Sequence, residues 1–239
     1  MATQDLTTYI ESESENKLSE TASKITVTDI RRYSNSHLYK DFGADYFNKI
    51  DVDLTVYAHD GSAGGAFGWG FSNEETYFDN DSGGWSGNWI AGYIYRGGSG
   101  TGRIYVGRQG PVWDYYLMPS FSVVQYLTIQ RAQGSDDVYT YIYSDEARTS
   151  LLDTITVSGV GTSSRYQYFF ACTSIQVDSN TEALYGYIEN IDLKTIPQPT
   201  ILSMKLIPLT SFSIGLYDTR YKLRARQRDT ALTTRVRNT

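Results

Sequence analysis

One cysteine in 239 residues, Cys172, excludes any disulfide within the chain. It lies in the apolar run "YQYFFACTSIQ", where a thiol packs as a small hydrophobe and stays inert. Only two histidines occur, His37 and His59. With a single cysteine they are too few to support a zinc site. No Gly-x-Ser-x-Gly elbow accompanies them, so a nucleophilic triad is poorly supported as well. Long apolar runs are also missing, and nothing approaches the length of a membrane span. The start, "MATQDLTTYIESESENKL", has neither a basic n-region nor an apolar h-region, so no secretory signal is expected and synthesis is assigned to the cytoplasm. Proline (5) and methionine (3) are scarce, whereas tyrosine (21) and glycine (21) are abundant. That balance favours strands over helices.

Periodicity agrees. No segment of helical length carries a 3.6-residue apolar repeat, whereas alternation recurs along the chain. In "KIDVDLTVYAH", Ile50, Val52, Leu54, Val56 and Ala58 point one way and Asp51, Asp53, Thr55 and Tyr57 the other, as in a half-buried antiparallel strand. "KITVTDI" sets Ile25, Val27 and Asp29 against Thr26 and Thr28. Residues 61–110 hold 15 of the 21 glycines and three of the four tryptophans. "AFGWGF", "NWIAGYIYR" and "GRIYVGR" read as strands there, and "DNDSGGWSG" and "RGGSGTG" as loops between them. "FSVVQYLTIQRA", "DVYTYIYSD" and "SLLDTITVSGV" form a strand series joined by polar turns. About a dozen strands and no helix define an all-β, two-sheet sandwich.

Charge divides the chain. The last twenty residues, "RYKLRARQRDTALTTRVRNT", hold seven basic residues and one acidic, net +6, leaving 14 basic and 26 acidic in residues 1–219, net −12. Such a body repels nucleic acid, while the tail can meet an acidic surface. Alternation places Leu223 and Ala225 opposite Arg224, Arg226 and Arg228, a pattern suited to strand addition on a neighbour. Because no aromatic residue interleaves with these arginines after Tyr221, single-strand nucleic acid is disfavoured. Residues 1–22 read as a polar N-terminal arm, 23–193 as the sandwich, and 194–239 as a linker, "KTIPQPT", followed by an apolar stretch and the basic arm.

Two stretches carry a resemblance: "QYLTIQRAQGSDDVYTYIYSDEARTSLLDTITV", and "YFFACTSIQVDSNTEALYGYIENIDL", with Gly186, Ile188, Ile191 and Leu193. Together with "HLYKDFGADYFNKIDVDLTVYAH", they resemble a concanavalin A-like (laminin G or lectin/glucanase) jelly roll. The repeat "RQRDT" at 226–230 and "RVRNT" at 235–239 resembles repeats in modular structural proteins of tailed phages. The resemblance implies a two-sheet antiparallel jelly-roll sandwich, calcium as the one cofactor to consider, and residence in a virion.

Each chemistry implied by that fold has residues to test. Glucanases of the group resemble a Glu-x-Asp-x-Glu run with all acids on one side of a strand, which this chain lacks. Asp51 and Asp53 share a face, the solvent face, while Glu189 and Asp192 differ in parity. For calcium, Asp79 and Asp81 lie in one Gly-rich loop, and Asp178, Asn180 and Glu182 in another loop; the same residue types also make ordinary turns. For a glycan platform, the candidates are Trp85, Trp89, Asp81 and Tyr93, with Trp69 assigned to the core. For docking, they are Arg224, Arg226, Arg228, Arg235 and Arg237. The resulting expectation is a non-enzymatic virion structural protein that docks through its C-terminal arm onto other virion subunits or onto itself. A lectin-like module for a cell-surface glycan is the alternative and a glycoside hydrolase the third reading. No membrane partner is expected.

Overall fold

The computed structural model describes residues 4–12, 16–31, 36–75, 78–79, 88–98, 100–110, 112–176, 182–194, 221–228 and 231–238. Trp85, Asp81, Asp178 and Asn180 lie outside them, as do the side chains of Asp79 and of the five docking arginines. The chain divides into a unit spanning Met1–Gln198 and a second spanning Pro199–Thr239.

The first unit is a two-sheet antiparallel jelly-roll sandwich of the concanavalin A-like type. Its strands are β1 (Ile10–Ser12), β2 (Leu18–Glu20), β3 (Lys24–Arg31), β4 (His37–Asp41), β5 (Ile50–Gly61), β6 (Ala66–Ser72), β7 (Phe78–Asp79), β8 (Trp89–Arg96), β9 (Gly102–Arg108), β10 (Val112–Met118), β11 (Gln125–Arg131), β12 (Val138–Tyr143), β13 (Leu151–Val157), β14 (Tyr168–Gln176) and β15 (Ala183–Leu193). One sheet runs β13-β12-β11-β5-β15-β3-β2. The other runs β1-β4-β14-β6-β8-β9-β10, with β7 paired parallel to β14 beside it. The only helical turn among the described residues is a 3-10 turn at Leu6–Thr8.

Alternation builds the core between the sheets. Ile50, Val52, Leu54, Val56 and Ala58 of β5 are all fully buried, facing Phe67, Trp69 and Phe71 of β6 and Ile90 and Ile94 of β8 in one apolar cluster. Cys172 is buried in the same cluster, as an inert core thiol should be. Residues 10–12 and 18–20, expected within a polar arm, instead pair with β4 and β3 and close one side of the sandwich.

Two non-glycine residues in the left-handed region alter the expected faces. Asp29, at φ 53°, breaks the inward row of β3, so Ile30 rather than Asp29 enters the core. Asp29 instead forms an ion pair with Lys17 at 2.9 Å. Asn190, at φ 55°, inserts an extra residue into β15. Glu189 therefore pairs with Thr55 and Asp192 with Asp53. Because Thr55 and Asp53 share a face, the parity difference expected between Glu189 and Asp192 is cancelled by this bulge. The face is tied by ion pairs rather than open: Lys194 Nζ lies 2.6 Å and Arg148 Nε 3.6 Å from the Asp53 carboxylate.

Candidate functional site: the aromatic outer face

The sheet that ends in β10 carries a second hydrophobic cluster on its outer side, separate from the main core. Tyr39, Ala66, Trp89, Ala91, Tyr93, Phe170 and Ile175 form it, with Tyr95, Tyr105, Trp113 and Tyr168 packed against them. Strand register explains the gathering. Tyr93 pairs with Tyr105, which pairs with Tyr115, so one row crosses three strands. In the next row Tyr95, Arg103 and Leu117 are neighbours. On the other side Ala91 pairs with Gly107, which pairs with Trp113.

Glycine sets the depth of this face. A Cβ on Gly107 would come within 2.2 Å of the Trp113 ring, so the indole lies directly on the backbone of β9. A Cβ on Gly92, which faces the core, would come within 2.8 Å of the Trp69 indole. The rings then pack on one another. Tyr93 stacks on Tyr105 at 4.9 Å, Tyr105 meets Tyr115 at 5.3 Å, and Trp113 contacts Trp89 at 5.4 Å and Tyr93 at 5.2 Å. Offset and edge contacts at these separations are the favoured aromatic geometries.

Arg103 stands among the rings. Its Nη1 donates to the Tyr105 hydroxyl at 2.8 Å, and its guanidinium lies 4.9 Å from the centre of the Tyr115 ring. Its Nε–H is buried and has no hydrogen-bond partner. The hydrogen bond to Tyr105 holds the guanidinium charge more firmly than usual. Tyr115 and Leu117 are 48% and 54% exposed, so this end of the face is open to a ligand. Chemically, it can stack a flat apolar ring face beside a guanidinium charge.

The opposite end is polar. The Tyr39 ring stacks on Phe170 at 5.4 Å and its hydroxyl donates to the Glu75 carboxylate. Desolvation, with Glu75 adding, pushes the Tyr39 phenol up to about 12. Gln167 Nε2 donates to both Asp41 carboxylate oxygens at 3.0 Å and to the Tyr168 hydroxyl at 3.1 Å. Nearby, the Thr173 hydroxyl donates to the Ser174 carbonyl at 2.9 Å. It therefore accepts from His37 Nδ1, 2.8 Å away, which makes the Nδ1–H tautomer of a neutral imidazole.

Burial pushes that imidazole down to about 4. An unfolded histidine titrates near pH 6.5, so acid favours the unfolded chain. The stability tied to neutral His37 is complete above about pH 6.5 and is lost as pH falls toward the folded value of about 4. Urea unfolding of wild type should lose about 2–3 kcal/mol more than His37→Gln between neutral pH and the lower end of this window. Equal slopes for the two proteins would refute the assignment.

Of the residues singled out from the sequence, Trp89 and Tyr93 lie in this face but at its floor, 3% and 4% exposed. Trp69 is a core residue, 1% exposed. Glu182 packs its carboxylate against Gly64, and no group of three or more metal-ligating side chains occurs among the described residues. Tyr95, Arg103, Tyr105 and Tyr115 were not singled out. Their signal was the alternation of polar aromatic and apolar residues in "GYIYR", "GRIYVGR" and "VWDYYLM".

No family model and no curated protein matches the chain. Solved structures do. A functionally unknown protein from Saccharomyces cerevisiae is 12% identical over 80% of this chain and 97% of that one, with a TM-score of 0.52. A mutant of the alginate lyase Aly36B in complex with alginate trisaccharide is 19% identical over 80% and 92%, with a TM-score of 0.50. A legume lectin-like domain from Entamoeba histolytica is 14% identical over 77% and 89%, with a TM-score of 0.48. The two-sheet jelly-roll fold is thus shared with solved structures. The expectation that the chain is no enzyme is corrected by the lyase neighbours. A missing carboxylate run counts against hydrolysis alone and leaves elimination chemistry untouched.

Proposed function

We propose that the protein binds a glycan on the outer face of this sheet, at the end formed by Tyr95, Arg103, Tyr105, Trp113 and Tyr115. The observation that carries the reading is the partly open row Tyr93–Tyr105–Tyr115 with Arg103 set between two of its rings. Aromatic faces pack against the C–H face of a sugar ring, and the Arg103 guanidinium sets a positive charge beside them. Small, convergent polar groups on an aromatic floor are the usual make-up of a ligand site. The likeness to a lyase holding an alginate trisaccharide supplies the first probe to try. Glycan binding therefore stands ahead of virion assembly as the first reading.

The test is a glycan array followed by calorimetry on the hits. Tyr105→Ala and Arg103→Ala should each weaken binding by about tenfold or more, equivalent to about 1.4 kcal/mol. Both side chains are half-buried, so urea unfolding is measured beside binding, and a binding loss larger than the stability loss marks a ligand contact. A blank array, or hits indifferent to both substitutions, would sink the reading. Ultraviolet detection of unsaturated sugar products, run on the same hits, reports whether binding leads to turnover.

A further inference from the structure

The other sheet of the sandwich carries an aromatic strip on its own outer face. Its members stand on β5 and β15, two inner strands of that sheet. Strand alternation turns Tyr57 and His59 of β5 outward, away from buried Val56 and Ala58, and Tyr185 and Tyr187 of β15 outward, away from buried Leu184 and Ile188. Register sets Tyr187 directly opposite Tyr57. The four rings then follow one another: Tyr185 meets His59 at 6.3 Å, His59 stacks on Tyr57 at 5.6 Å, and Tyr57 meets Tyr187 at 5.1 Å. Lys24 closes the row, its Nζ 3.6 Å from the centre of the Tyr187 ring.

His59 is exposed and the three tyrosines are half-buried. Among the described residues, the hydroxyls of Tyr57 and Tyr187 and the ring nitrogens of His59 have no hydrogen-bond partner. The Tyr185 hydroxyl donates to Asp29 at 3.3 Å. Acids beside the strip are tied to cations: Asp29 to Lys17 at 2.9 Å, Glu189 to Lys24 at 3.5 Å and Asp60 to Arg96 at 3.8 Å.

This chemistry selects a ligand. A row of rings with unpaired phenols and an imidazole offers apolar faces together with groups that both donate and accept. A sugar has the same two parts, a C–H face and a fringe of hydroxyls. A neutral sugar suits the strip better than an acidic one. The acids at its border are already balanced by cations, and the net −12 of residues 1–219 repels a polyanion. Strand addition by a peptide is closed off, because β5 is paired with β11 and β15, and β15 with β3 and β5.

We propose that Tyr185, His59, Tyr57 and Tyr187 form a second carbohydrate site, for a neutral oligosaccharide, on the sheet opposite the Arg103 face. Ring faces of the strip carry the sugar, and the free phenols and imidazole meet its hydroxyls. The site shares no residue with the Arg103 face and does not require it. With both faces occupied, one chain holds two glycan strands on opposite sides; that consequence alone rests on the reading of the Arg103 face.

Calorimetry of the full chain with neutral tetrasaccharides of glucose, mannose, galactose and xylose tests this. At least one should bind, and Tyr57→Ala and His59→Ala should each weaken it by about tenfold, equivalent to about 1.4 kcal/mol. His59 is exposed, so His59→Ala reports on the site even if Tyr57→Ala fails to fold. Three results overturn the proposal: no binding across the panel, binding indifferent to both variants, or binding lost in Tyr105→Ala and kept in the other two. The last would place the neutral sugar on the Arg103 face. Acidic glycans that depend on Tyr105 test that face separately, so either site can fail alone.

Discussion

Arg131→Met should lower unfolding stability by about 3–5 kcal/mol, because it strips three backbone carbonyls of their donor at once. Arg131 is fully buried at the end of β11. Its Nε donates to Ser135 at 3.1 Å, Nη1 to Ser164 at 2.8 Å and Nη2 to Gly161 at 2.7 Å. One guanidinium thus ties the turn after β11 to the loop between β13 and β14. Methionine fills the volume but leaves those acceptors dry and unpaired. Arg131→Lys keeps the charge but lacks the planar fork, so about half the loss is expected. At this chain length the methionine variant should melt about 10 °C lower. A loss under about 1 kcal/mol in urea would show that water replaces the guanidinium.

Trp69→Ala should be comparably severe, about 3–5 kcal/mol, through the cavity it leaves. Trp69 is 1% exposed and lies against the backbone of Gly92. The glycine is in β8, whose other side presents Trp89, Tyr93 and Tyr95 to the aromatic face. The substitution should therefore also weaken glycan binding, although no Trp69 atom reaches that surface. Trp69→Phe should cost less, under about 1.5 kcal/mol. It removes an indole N–H that has no hydrogen-bond partner, which offsets part of the lost packing. Equal losses for the two variants would mean that shape, not volume, governs the site.

Strand alternation made much of the sandwich legible in advance. In β5 the five residues assigned inward are the five with no exposure. What alternation cannot show is a bulge at a non-glycine residue. Asp29 and Asn190 adopt positive φ, which Asp and Asn tolerate best among non-glycine residues, but residue type alone does not say which Asp or Asn does so. The tertiary register imposes it, and each shifts the face of every residue beyond. The aromatic face was hidden for a different reason. Attention falls on tryptophans among glycines, whereas the accessible rings are tyrosines within strands. Their grouping depends on β8, β9 and β10 pairing in register, which no single segment reveals. The expectation of no catalytic role weighed paired carboxylates, a nucleophilic triad and a zinc site but left out elimination chemistry, which the lyase neighbours bring in.

The two three-residue edge strands have a practical consequence for handling the molecule. β1 borders one sheet and β2 the other, each at the end remote from β10 and β13. A short tag inserted at the end of β1 would lie on the flank of three-residue strands and leave β10 and β13 undisturbed, whereas one grafted after β10 would lie at the edge that exposes Leu117.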